Sequence, residues 1–261
     1  MILPSMTPEE KVKQMQNLFP HIHVHADEWL RGHNHTFFRT KRFPACYSAE
    51  VDFSEIGMGK WTMHVIAESK SNLRKGVATI RMYQTYYVTH AKEQSNNGTG
   101  IYELVANDDM DVSCHEYTPH YFNRLRQRMI APRGIVQPSF PELVRRMTCD
   151  HWSSMDETIK GFRYKKDETG KYALVEDHND DRQEGYDNLV SYHPDGISLG
   201  VSAARRRYFL YLSYVSSDLL YPGQVEKQKK RLQELLGHQY KLRNNPFATF
   251  SRKAWEPRVA Q

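Results

Sequence analysis

Residues 114–130 read CHEYTPHYFNRLRQRMI, and the chain changes character inside this run. Thr118 is a helix-capping residue type and Pro119 suits a first helical position, so the pair predicts a helix over 118–130. At about 100° per residue, His120, Arg124 and Arg128 fall within an arc of about 80° and climb about 12 Å. Phe122, Leu125 and Met129 fall on the other side. The spacing predicts a helix that buries an apolar face and presents a His-Arg-Arg edge.

Working outward, the preceding sequence is strand-like. ACYSAEVDFSEI, KWTMHVIAES and VATIRMYQTYYVTHA are rich in β-branched and aromatic residues. SNNGTG at 95–100 is hairpin-turn sequence, and IYELVAN returns after it. Residues 45–107 therefore predict an antiparallel meander. Ahead of it, Thr7, Pro8, Glu9 and Glu10 start a helix that Pro20 is expected to end.

After the central run, Ser139 caps a second helix with Leu143, Val144 and Met147 facing inward. Two hairpins come next, with turns at Asp167–Gly170 and His193–Gly196. RRRYFLYLSYVSS predicts a long central strand, and VEKQKKRLQELLGHQYKL a final amphipathic helix. The fold class is α+β, a mainly antiparallel sheet with flanking helices. A division at 1–112 and 113–261 separates the meander from the part carrying the basic helix, with one continuous domain as the alternative.

The His-Arg-Arg edge is chemically coherent. The positive end of a helix disfavours imidazolium, so His120 tends toward the neutral form that a general base needs. Arg124 and Arg128 offer planar forks that match phosphate oxygens. Metal-free RNA cleavage needs a base for the 2′-hydroxyl and cations where charge grows on the phosphate. The bland alternative is a solvated face with local ion pairs.

TPHYFNRLRQRMI also resembles the opening motif of toxin-like domains of the barnase/RelE-like ribonuclease fold, T-x-H-A-x-x-R-x-x-x-R. The matching positions are Thr118, His120, Arg124 and Arg128, with Ile130 in the apolar slot after them. Tyr121 departs from the pattern, which has a small residue there. The resemblance covers about thirteen residues. It implies helices followed by a small antiparallel sheet over 113–220, with a late-strand polar residue at the site: Ser213, Tyr214 or Ser216. The implied activity is that of a metal-independent ribonuclease without a cofactor.

Two competing chemistries remain. His21, His23 and His25 alternate, as strand residues pointing one way would, and could begin a zinc hydrolase site. A basic face without catalysis would instead make a binding module for nucleic acid or an acidic protein. The charge distribution suits an anionic partner, RNA or another polyanion. Residues 115–149 hold six arginines against two glutamates, and 225–261 hold nine bases against three acids. Residues 156–195 reverse the sign, with eleven acids against six bases.

Three cysteines without a C-x-x-C pair argue against a disulfide framework and for a reducing compartment. No apolar run reaches the roughly 20 residues of a membrane span. The expectation is a cytoplasmic protein with no membrane contact.

Overall fold

The computed structural model describes residues 1–32, 40–41, 43, 45–67, 69–71, 79–88, 98–106, 112–133, 138–149, 155–159, 162–166, 172–176, 187–193 and 195–242. The turns expected at 95–97 and 167–170, His33, His35 and the tail after 242 lie outside them.

Helix α1 (Pro8–Gly32) starts with the expected cap. Thr7 Oγ1 accepts from the Glu10 amide at 3.3 Å, and Glu10 Oε2 accepts from the Thr7 amide at 2.8 Å. This reciprocal pair satisfies two amides that the helix leaves open. The helix does not stop at Pro20. Met15, Leu18, Ile22 and Ala26 form one buried stripe on both sides of the proline. Burial along that stripe outweighs the roughly 3 kcal/mol that an interior proline costs.

The meander is present as β1 (Ala45–Asp52), β2 (Lys60–Ala67), β3 (Thr79–Val88) and β4 (Gly98–Ala106), each antiparallel to the next. Beyond the prediction, β5 (Val112–Tyr117) extends it. Helix α2 (Pro119–Leu125) and α3 (Phe140–Cys149) come after it. Then come β6 (Met155–Ile159), β7 (Phe162–Lys166), β8 (Tyr172–Glu176), β9 (Asp187–His193), β10 (Gly196–Ala203), β11 (Tyr208–Ser216) and α4 (Pro222–Leu242).

Among the described residues, nine strands form one sheet in the order β1-β2-β3-β4-β5-β11-β10-β9-β6, and β7 and β8 form a separate hairpin. Every pairing is antiparallel except β5 with β11, which is parallel. β11 is central, as its aromatic sequence suggests. It carries a bulge opposite Leu199 and Gly200. A Cβ at Gly200 would lie 1.9 Å from Leu210 O, so only glycine lets the two backbones approach there.

The sheet separates two cores. On one face, the α1 stripe packs with Trp61, Met63, Met82, Leu104 and Cys114. Farther along the same face, Leu232 of α4 meets Val190, Ile197 and Leu199. On the other face, α2 and α3 supply Tyr121, Phe122, Leu125, Leu143 and Val144 against Tyr83, Ile101, Tyr211 and Tyr214. Cys114 is a free, buried thiol, whereas Cys46 is disulfide-bonded, so the cysteines are not all reduced. No helix among the described residues is long and apolar enough to cross a membrane.

Candidate functional site

α2 places the His-Arg-Arg edge beside β11. Thr118 caps it, accepting from the Tyr121 amide at 3.2 Å. The Thr118 hydroxyl also donates to Tyr211 O at 3.2 Å, which ties the helix start to the central strand. Pro119, Tyr121, Phe122 and Leu125 are buried, and Met129 is half-buried.

Beyond Leu125 the helix widens into a π turn over Arg126–Ile130, with the Ala131 amide reaching back to Arg126 O. The extra residue in the turn rotates the side chains beyond it out of the α-helical row. Arg128 lies within this turn, near enough for its charge to act on His120. Its Nη1 donates to Tyr214 O on β11 at 2.5 Å.

Arg124 Nε donates to His120 Nε2 at 3.3 Å, and Arg124 Nη1 donates to Gln127 Oε1 at 3.1 Å. His120 is pushed below its usual pKa by partial burial, then by Arg124 and Arg128. The sequence expectation of a neutral imidazole used the helix end as its cause; here burial and two guanidinium charges are the causes.

A hollow of about 310 Å³ opens beside this edge, lined by Arg128, Met129, Asp195, Ser216, Ser217 and Asp218 among others. Of the predicted site residues, Arg128 and Ser216 share it. His120 and Arg124 do not line it. Ser213 stands one residue from Tyr214 and three from Ser216, so strand alternation turns it to the opposite face of the sheet. Tyr214 is fully buried against Tyr121. The Ser216 hydroxyl is buried with no hydrogen-bond partner among the described residues.

The N-terminal histidines are reorganised. All three lie within α1, where positions two apart are about 200° apart, so they do not point one way as strand residues would; His21 and His25, four apart, fall about 40° from each other. His21 is exposed. His25 sits edge-on to Phe53 at 5.0 Å, with its Nδ1 3.8 Å from Glu28 Oε2. No group of three metal-ligating side chains occurs among the described residues. The strand argument for a zinc site therefore fails, because helix α1 runs through Pro20.

The structure adds a buried polar chain that sequence reasoning missed. Tyr121 Oη lies 3.0 Å from Ser198 Oγ, which lies 2.7 Å from His193 Nε2. Ser198 and His193 are buried, and burial pushes the His193 pKa down to about 3. Gln228 of α4 clamps the turn beneath them, donating to His193 O at 2.5 Å and Gly196 O at 3.1 Å. HPDGIS reads as turn chemistry, but serine and histidine at the same-face positions of one hairpin were the available signal. Two buried glutamates were also legible as charges inside apolar strands: Glu103 in IYELVAN and Glu116 in CHEYT.

No protein-family model matches the chain, and no curated protein and no solved structure matches it either.

Proposed function

We propose that the chain handles RNA or another phosphate polyanion along the α2 edge, with metal-independent, ribonuclease-like cleavage as its chemistry. His120 is the general base, Arg124 and Arg128 hold the phosphate, and Ser216 is the late-strand donor. One observation carries this reading. An imidazole held below its usual pKa stands 3.3 Å from Arg124 on a helix packed against β11, while Arg128 and Ser216 share the adjoining hollow. A neutral imidazole accepts a proton, and the neighbouring guanidinium charges favour a developing oxyanion. A toxin-like ribonuclease fold over 113–220 belongs to the same proposal.

A second reading has its own observation. His120 Nε2 already accepts from Arg124, and neither residue lines the hollow. That arrangement suits a non-catalytic binding module for nucleic acid or an acidic protein. Incubation of the full chain with mixed RNA in EDTA, beside His120→Ala, separates the two. Cleavage that survives EDTA and is lost in the variant supports catalysis. Salt-sensitive binding without cleavage, retained in the variant, supports the module. Neither binding nor cleavage overturns both.

A cytoplasmic location is part of the proposal. The disulfide at Cys46 weighs against it, since such bonds rarely persist in a reducing compartment. A thiol count on the purified chain before and after reduction tests this: three free thiols before reduction support it.

A further inference from the structure

An exposed aromatic ring stands on the α2 face of the sheet. Tyr87 of β3 is 66% exposed, the highest value of any exposed large hydrophobic side chain among the described residues. Its direction follows from its neighbours. Met82 and Tyr86 pack into the core beneath α1, and Tyr83 packs into the core beneath α2 and α3. β3 keeps an unbroken register with β4 from Met82 to Val88, so Tyr87 points the same way as Tyr83. Thr85, between them on that face, is also exposed. The helical layer that covers Tyr83 therefore stops short of this end of the strand.

The same strand end abuts the start of α2. Tyr87 pairs with Thr99 of β4, and Val88 pairs with Gly98. A Cβ built on Gly98 would lie 3.5 Å from Pro119 Cβ, on the first residue of α2. His120 comes next, and Arg124 one turn later. The surface order from the sheet onto the helix is thus Tyr87, Pro119, His120, Arg124.

An open ring beside a cationic edge is the combination that holds single-stranded nucleic acid. Unpaired bases stack on aromatic side chains while cations track the phosphates. A duplex keeps its bases stacked on one another and has no free face to offer a ring. A polyanion without bases has nothing to place there.

We propose that Tyr87 is a base-stacking platform, and that the α2 edge takes single-stranded RNA in preference to duplex RNA or a base-free polyanion. The proposal rests on the reading of that edge as an RNA surface and names its substrate class. One unpaired base lies on the Tyr87 ring, and the adjoining phosphates pass over Pro119 to His120 and Arg124. Tyr87 binds and takes no part in proton transfer.

Titration of the full chain with a short single-stranded RNA carrying one 2-aminopurine tests this. A duplex of the same strand, inorganic polyphosphate and polyglutamate are titrated beside it. The single strand should bind about fivefold or more tighter than any of the three, and the 2-aminopurine emission should be quenched on binding. Tyr87→Ala should weaken the single strand by about fivefold or more and abolish the quenching. It should leave polyphosphate binding and the salt slope unchanged, because no charge is lost. Tyr87→Phe should retain both affinity and quenching. The ring is exposed, so the alanine variant should fold, and a thermal melt verifies this. The comparison of ligands on the parent chain needs no variant. Polyphosphate or duplex bound as tightly as the single strand, or full binding and quenching in Tyr87→Ala, overturns the stack. The phosphate reading survives either result if Arg124→Gln still weakens binding. Polyglutamate bound as tightly as the RNA and lost in Tyr87→Ala makes the ring a protein contact and overturns the stack. Binding of none of the four overturns both.

Discussion

Glu116 and Glu103 stand on neighbouring strands and on opposite faces of one sheet, 7% and 1% exposed. Glu116 is surrounded by partners. Lys11 Nζ lies 2.7 Å from Oε2, Tyr208 Oη donates to the same oxygen at 2.6 Å, and Tyr86 Oη donates to Oε1 at 2.9 Å. Lys11 in turn stands over the Tyr102 and Tyr208 rings, 5.0 and 5.4 Å from their centroids. Glu103 has Arg81 Nε at 3.0 Å from Oε1, close enough for an ion pair but not aligned as a hydrogen bond. Burial pushes its carboxyl pKa up, with the Arg81 charge pulling the other way.

The difference extends to the two faces. Glu116 and Lys11 pin α1 to β5 and β11 with each charge answered. The opposite face buries ionisable groups held in their neutral forms. Burial brings His115 and His193 down to about 3 and His64 to about 4. The α2 edge and the hollow adjoin this second face. One face is assembled for attachment, and the other buries imidazoles that stay uncharged.

The comparison breaks most sharply at Lys11. Lys11→Met leaves Glu116 buried without its cation and should cost about 3–5 kcal/mol in urea denaturation. A double variant with Glu116→Gln should recover part of the loss. If Lys11→Met is harmless, the attachment role is wrong.

Acid should act mainly through the second face. A histidine depressed in the fold binds a proton in the unfolded chain first. Stability contributed by neutrality at His64, His115 and His193 is therefore present above pH 6.5 and falls as pH drops from 6.5 toward about 4 for His64 and about 3 for the other two. Each histidine contributes a slope of up to about 1.4 kcal/mol per pH unit. His193→Gln should flatten the slope of denaturation midpoint against pH, and an unchanged slope would remove His193 from this account.

Glu103→Gln should have a smaller effect, under about 2 kcal/mol, because a raised pKa favours the protonated, amide-like form. The sign also depends on pH. The protonated carboxyl contributes stability that is lost as pH rises through its raised pKa. The variant should therefore gain on the parent chain between pH 4.5 and 7 in paired thermal melts. A constant gap across that range would mean that Glu103 titrates as an ordinary carboxylate.

Much of the fold was legible in local sequence. Thr118-Pro119, the Phe122–Leu125 face, Ser139 before α3 and the aromatic run of β11 each state their element through nearest neighbours. α1 running past Pro20 was not, because the stripe from Met15 to Ala26 is stabilised by a sheet that forms later in the chain. The parallel β5–β11 contact joins strands about ninety residues apart, and no local pattern encodes it. At the site, periodicity placed His120 beside Arg124. It did not reveal the π turn that holds Arg128, which has no simple sequence signature, whereas strand alternation alone turns Ser213 and Ser216 to opposite faces.

The central claim is that the α2 edge is a phosphate-handling surface. The most direct measurement is fluorescence anisotropy of a labelled single-stranded RNA at several salt concentrations, with the parent chain and Arg124→Gln. The account predicts binding that weakens with salt, and a log–log slope reduced by about one in the variant. No binding at low salt, or the same slope in both chains, would contradict it.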